Sequence, residues 1–133
     1  MAISTMQTQP TGLSFVGTLR AEVQDFLNQF ADALTTGDGE TVATLWETPA
    51  LVIARDGVMD LDSPRQIAQW FGLARRHIGL PDLVDLERID DRIVVASIRW
   101  ETAEGPEASD YTLRRNDRGE LKLRSVLMRG IAI

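Results

Sequence analysis

Apolar residues at Leu19, Val23, Phe26, Leu27, Phe30 and Leu34 recur every three or four positions, the spacing of a helix that buries one face. The pattern predicts a long first helix from residue 14 to the stop at Thr35, Thr36 and Gly37. Asp38 then has the character of an N-cap, with Glu40 in the first turn. Val42, Leu45 and Trp46 share one side of a short second helix that ends before Pro49. Residues 50–54 and 58–61 read as strands joined by Arg55, Asp56 and Gly57, because Asp-Gly favours the geometry of a tight hairpin.

Ser63, Pro64, Arg65 and Gln66 form the sharpest local signal: a capping Ser, Pro at the first helical position and Gln three residues on to bond back. The third helix that starts here carries a stripe of Ile67, Trp70, Phe71, Ala74 and Ile78, and Gly79 and Pro81 are expected to end it. Beyond Pro81 the period changes to two. Val84 and Leu86, then Val94, Ala96, Ile98 and Trp100, then Tyr111 and Leu113, then Leu121, Leu123 and Leu127 mark strands. Turns are expected at Asp90-Asp91, over residues 102–106 and over residues 116–119. Helices first and strands after is an α+β order, with helices packed on one face of a curved antiparallel sheet.

At 133 residues the chain is expected to form one domain, residues 14–133, preceded by a flexible arm over residues 1–13. Its 44% hydrophobic and 26% charged content is that of a globular protein, and no apolar run approaches the roughly 20 residues of a membrane span. The arm has no basic start and no apolar run, so no secretion signal is read there and a cytoplasmic location is expected. A net charge of −6 argues against nucleic acid as a partner. With no cysteine and one histidine, thiol chemistry, iron–sulfur clusters and His- or Cys-rich metal sites are excluded, and no metal or cofactor is expected.

The polar candidates each have a plain structural role beside a chemical one. His77, next to Arg75 and Arg76, reads as a cation complementing the dipole at the end of the third helix, with general-base chemistry as the alternative. Asp60 shares a face with Val58; were that face inward, it would place a base near a pocket mouth. Asp110 is either an outward strand charge or an acid near the interior. Arg99, Arg114, Arg124 and Arg129 lie on the strands among Asp85, Glu87 and Glu101 and read as cross-strand ion pairs. Arg129 has an alternative: by alternation from Leu121, Leu123 and Leu127 it shares the apolar face, where it would hold an acidic ligand. Trp46, Trp70, Trp100 and Tyr111 are core aromatics that would line a cavity if the fold is hollow. Ile93, Val95, Val126 and Met128 lie on the opposite face, an apolar patch expected to join two copies into a homodimer.

Residues 30–38, Leu45-Trp46, residues 63–71 and residues 110–126 together resemble the nuclear transport factor 2-like superfamily, which includes the ketosteroid isomerases and the SnoaL-type polyketide cyclases. The resemblance covers residues 16–128. It implies a cystatin-like cone in which a bent sheet wraps a long helix around an apolar pocket for a small molecule, often as a homodimer through the sheet. Carried over, the isomerase oxyanion donor falls on Phe30 and the general base on Ala54; neither side chain does that work. The third position, an acid kept protonated by apolar surroundings in the isomerases, falls on Asp110 or Tyr111. An ungapped count from Gly119 favours Tyr111, which also shares a face with Leu113. The expectation is therefore a cofactor-free domain binding an apolar small molecule. A cyclase- or isomerase-type enzyme and an assembly domain acting through its sheet face are the alternatives.

Overall fold

The structure, a computed structural model, describes residues 12–73 and 77–131, with the side chains of 18–70 and 77–129. Three helices, α1 (Gly12–Thr36), α2 (Gly39–Thr44) and α3 (Pro64–Leu73), accompany strands β1 (Trp46–Ala54), β2 (Gly57–Leu61), β3 (His77–Arg88), β4 (Ile93–Thr102), β5 (Gly105–Arg115) and β6 (Leu121–Ile131). They form one sheet in the order β2-β1-β6-β5-β4-β3, antiparallel except where β1 runs parallel to β6. Of the expected arm, residues 1–11 lie outside the described chain, and Gly12 and Leu13 already belong to α1.

Local chemistry sets the helix ends. Gly37 takes a φ of 74°, and the amides of Gly37 and Asp38 bond back to the carbonyls of Leu34 and Ala33, a Schellman closure that L side chains disfavour. Asp38 immediately caps α2 by accepting from the Thr41 amide at 3.0 Å. At α3 the Gln66 amide donates to Ser63 Oγ at 3.2 Å, while Gln66 Oε1 accepts from the Asp62 amide at 2.6 Å.

Trp46, expected at the end of α2, is instead the first residue of β1. Pro49, expected to halt the preceding element, lies within that strand, where pairing with β6 breaks between Trp46 and Leu51 and no amide is demanded of it. α3 also ends sooner than its stripe suggested: Leu73 closes it, and His77 and Ile78 open β3. Ala74, expected on the stripe, lies outside the described residues. Ile78 is 57% exposed, so carrying the helix on to it would follow no gain in burial.

The core fills the inner face of the sheet beneath α1. Phe30, 1% exposed, is its centre. The rings of Phe26, Trp46, Trp100 and Tyr111 stand 6.2, 6.4, 6.3 and 5.8 Å from it, the last edge-on at 90°. Two strands change phase on the way past this core. In β3 the register shifts between Leu83 and Asp85, so Leu83 is buried and Val84, expected inward, is exposed. In β6 it shifts where Thr112 faces Ser125 and Leu113 faces Leu123, so burial moves from Leu121 and Leu123 to Val126.

Candidate functional site

The slip in β6 redistributes the expected polar contacts. Leu127 turns outward and Arg129 with it, so Arg129 is exposed and does not share the apolar face. It donates through Nε to Asp110 Oδ2 at 2.9 Å, a pair on the outer surface. Asp110 is thus the outward strand charge, and Tyr111 the inward residue. Asp60 pairs with Leu51 and does share a face with Val58, but that face is the outer one; Leu61, opposite buried Ala50, points in. Val126 is buried and Met128 packs against the core, so the expected outer patch with Ile93 and Val95 does not form as such.

Phe30, Trp46, Trp100 and Tyr111 come together in the core, and Trp70 on α3 is packed against it, half-buried. Ala54 is the half-buried last residue of β1, opposite Gly57 at the hairpin. A methyl group there and a phenyl ring at Phe30 offer no proton to transfer.

His77 is where expectation and structure differ most. It does not end a helix. Paired with Thr102, it faces inward, and its ring lies over Trp100 with centroids 4.2 Å apart. Its Nε2 is 3.2 Å from Oε1 of Glu107, a carboxylate only 5% exposed. Glu107 pairs with Trp100 and belongs to the inward row Glu107, Ser109, Tyr111 and Leu113 of β5. Among the described residues the buried polar side chains are Thr102, Glu107 and Ser109, all at this end of β4 and β5. Burial, with the Glu107 charge second, holds the Tyr111 phenol well above its ordinary range, so it stays a protonated hydrogen-bond donor. The signal for Glu107 was present in the sequence: counting back by twos from Tyr111 reaches it. A break is expected over residues 102–106, yet β5 begins at Gly105.

The outer face carries an open groove of about 510 Å³ across β3 to β6, lined by Val84, Val95, Ser97, Arg99, Asp110 and Arg129. On the same outer face Glu47 of β1 receives Arg114 at 2.9 Å and Arg124 at 3.1 Å, so these arginines are ion-paired as expected, but with Glu47 in place of the acids of β3 and β4. Among the described residues no three His, Cys, Asp or Glu side chains are placed to hold a metal, and no helix is long and apolar enough to cross a membrane.

In sequence the chain matches no family model and no curated protein. In structure it is similar to a domain of unknown function with a cystatin-like fold from Nostoc punctiforme, at TM-score 0.70 and 16% identity over 86% of this chain and 78% of that one. A nuclear transport factor 2-like superfamily protein from Salmonella enterica superposes at TM-score 0.66 and 12% identity, covering 89% and 94%. A ketosteroid isomerase-like protein from Erwinia carotovora does so at 0.62 and 9%, covering 85% and 96%. The α+β cone is thus the fold of the nuclear transport factor 2-like proteins, as the resemblance implied, and at these identities the likeness is one of fold.

Proposed function

We propose that this domain binds a small, largely apolar molecule at the end of the inner face marked by Trp100, Glu107 and Tyr111. One observation carries the reading: the buried polar side chains of the described chain, Thr102, Glu107 and Ser109, gather beside the aromatic core. Thr102 donates to the Gly105 carbonyl and Glu107 meets His77, and a carboxylate keeps further acceptor sites that a ligand's donor can use beside the apolar rings. With Arg129 on the outer surface the reason to expect an acidic ligand falls away. A buried carboxylate beside a protonated phenol favours a neutral ring compound that donates or accepts hydrogen bonds.

Saturation-transfer NMR with toluene, 4-methylphenol and 4-methylacetophenone tests this. The two polar compounds are expected to bind in the micromolar to millimolar range, where shape and apolar burial supply most of the affinity. Tyr111→Phe should weaken the ketone by about 1 kcal/mol, the usual net value of one hydrogen bond, and leave toluene unchanged. No saturation transfer to any of the three would end the reading.

A second reading, an enzyme without cofactor, is favoured by the His77–Glu107 pair, since a carboxylate that orients an imidazole is a recurrent acid–base arrangement. Steroid isomerisation is not expected of it, because the resemblance carries the donor and base positions to Phe30 and Ala54. For the outer groove we propose a second copy of this chain as occupant, with Val84 and Val95 as apolar contacts and Arg99, Asp110 and Arg129 as charged ones.

A further inference from the structure

The first residues of β3 are fastened differently from those that follow. His77 and Ile78 pair with Thr102 and Glu101, and the ladder resumes at Asp82 opposite Arg99, so Gly79, Leu80 and Pro81 together face Trp100. Gly79 bends the chain there with a φ of 69°. Ile78 and Leu80 are largely exposed and add little packing, and β3 is the edge strand of the described sheet. From Pro81 onward α1 takes hold: Gln24 donates to the Pro81 carbonyl at 3.5 Å and Arg20 to that of Leu83 at 2.9 Å.

Three side-chain contacts among the described residues supplement the short ladder between residues 77 and 80. Trp100 Nε1 donates to the Gly79 carbonyl at 3.1 Å, the His77 ring lies over the indole, and His77 Nε2 meets Glu107. Two of the three depend on the charge of one imidazole. Protonated, His77 forms an ion pair with a buried carboxylate and places a cation on an indole face. Neutral, it keeps a hydrogen bond and an uncharged ring stack. Both contacts therefore weaken together as the proton leaves.

We propose that the His77–Glu107 pair, seated on Trp100, is a pH-sensitive latch that holds residues 77–80 along the edge of the inner face and loosens them as pH rises. Among the described residues, the other charged groups on the elements packed here are Glu101 opposite Ile78, Glu104 in the turn joining β4 to β5, and Asp82 on β3, all exposed, with Tyr111 remaining neutral behind Glu107. If the inner face binds a small molecule as proposed above, the latch controls the side on which it enters; the latch itself needs no ligand to be observed.

Hydrogen exchange of the ligand-free protein at pH 5.5 and 8.5, corrected for intrinsic rates, tests it on a peptide covering residues 77–83. The expected result is a loss of protection of at least fivefold at the higher pH, with β5 and β6 unchanged. His77→Gln and Glu107→Gln should each show low protection at both values. Tryptophan fluorescence over the same range, as the difference between native protein and His77→Gln, follows the proton directly, because an imidazolium against an indole quenches it. Unchanged protection in the native protein while fluorescence records the titration would overturn the latch, as would a His77 that does not titrate between pH 5 and 9. Either outcome leaves the binding reading standing, since NMR with the ring compounds decides that separately.

Discussion

Gly39 sits so close to Ala68 that a Cβ built on it would lie 2.5 Å from the Ala68 carbonyl oxygen. The first turn of α2 and the middle of α3 are therefore in backbone contact. An alanine in the first turn of an exposed helix ordinarily stabilises relative to glycine, by up to about 1 kcal/mol. Here Gly39→Ala must push two helices apart and is expected to cost about 2 kcal/mol, the usual scale of overpacking, as a lowered urea midpoint. A neutral or raised midpoint would show that the helices separate freely.

His77→Ala removes the imidazole from a buried carboxylate and is expected to cost about 3 kcal/mol, in the range for breaking one side of a buried ion pair. Ser63→Ala loses the cap of α3 and should cost about 1 kcal/mol. Equilibrium unfolding of the two variants should rank them in that order. A His77 that merely ended a helix would give the reverse, with less than about 0.5 kcal/mol lost.

The Asp38 carboxylate is held below its usual range chiefly by the Thr41 hydroxyl and next by the Thr41 amide. A carboxyl lowered on folding stabilises the native state above its unfolded pKa of 3.8, and that contribution is lost as pH falls through the lower folded value. The Tm difference between native protein and Asp38→Ala should accordingly shrink from pH 7 towards pH 2. Equal differences at both ends would place the cap's contribution elsewhere than in its charge.

Sedimentation addresses the outer groove. The native chain is expected as a dimer at tens of micromolar, and Val95→Lys as a monomer with an unchanged circular dichroism spectrum, since Val95 does not face the core. A native monomer at that concentration would remove the proposed interface.

The legible parts of the fold were those with local causes. Asp38, Ser63 and Gln66 announce their caps by hydrogen bonds to residues a turn away, and Asp56-Gly57 announces its hairpin. Burial of Phe30, Trp46, Trp100 and Tyr111 followed from their size and period. What periodicity misread depends on pairing between distant strands. The bulges that expose Val84 and turn Arg129 outward appear only in the register with β4 and β5. His77 was misplaced because a helical stripe can be extended on paper past the point where tertiary pairing with Thr102 takes the chain into a strand. Glu107, the centre of the candidate site, was missed because a carboxylate on a strand is ordinarily an outward residue, although alternation from Tyr111 puts it on the inward row.

The extra residue in β6 acts as a change of parity. Before it, odd-numbered residues such as Leu121 and Leu123 face the interior; after it, even-numbered Val126 and Met128 do. Removing one residue near Arg124 would leave every later side chain chemically intact and reverse its address, presenting Leu127 to the core and turning Val126 towards water. Arg129 would then carry its charge inward, away from Asp110. Whether this protein keeps an arginine out of its interior is decided by the count of residues along one strand, and a change in chain length there would alter the interior more than most substitutions.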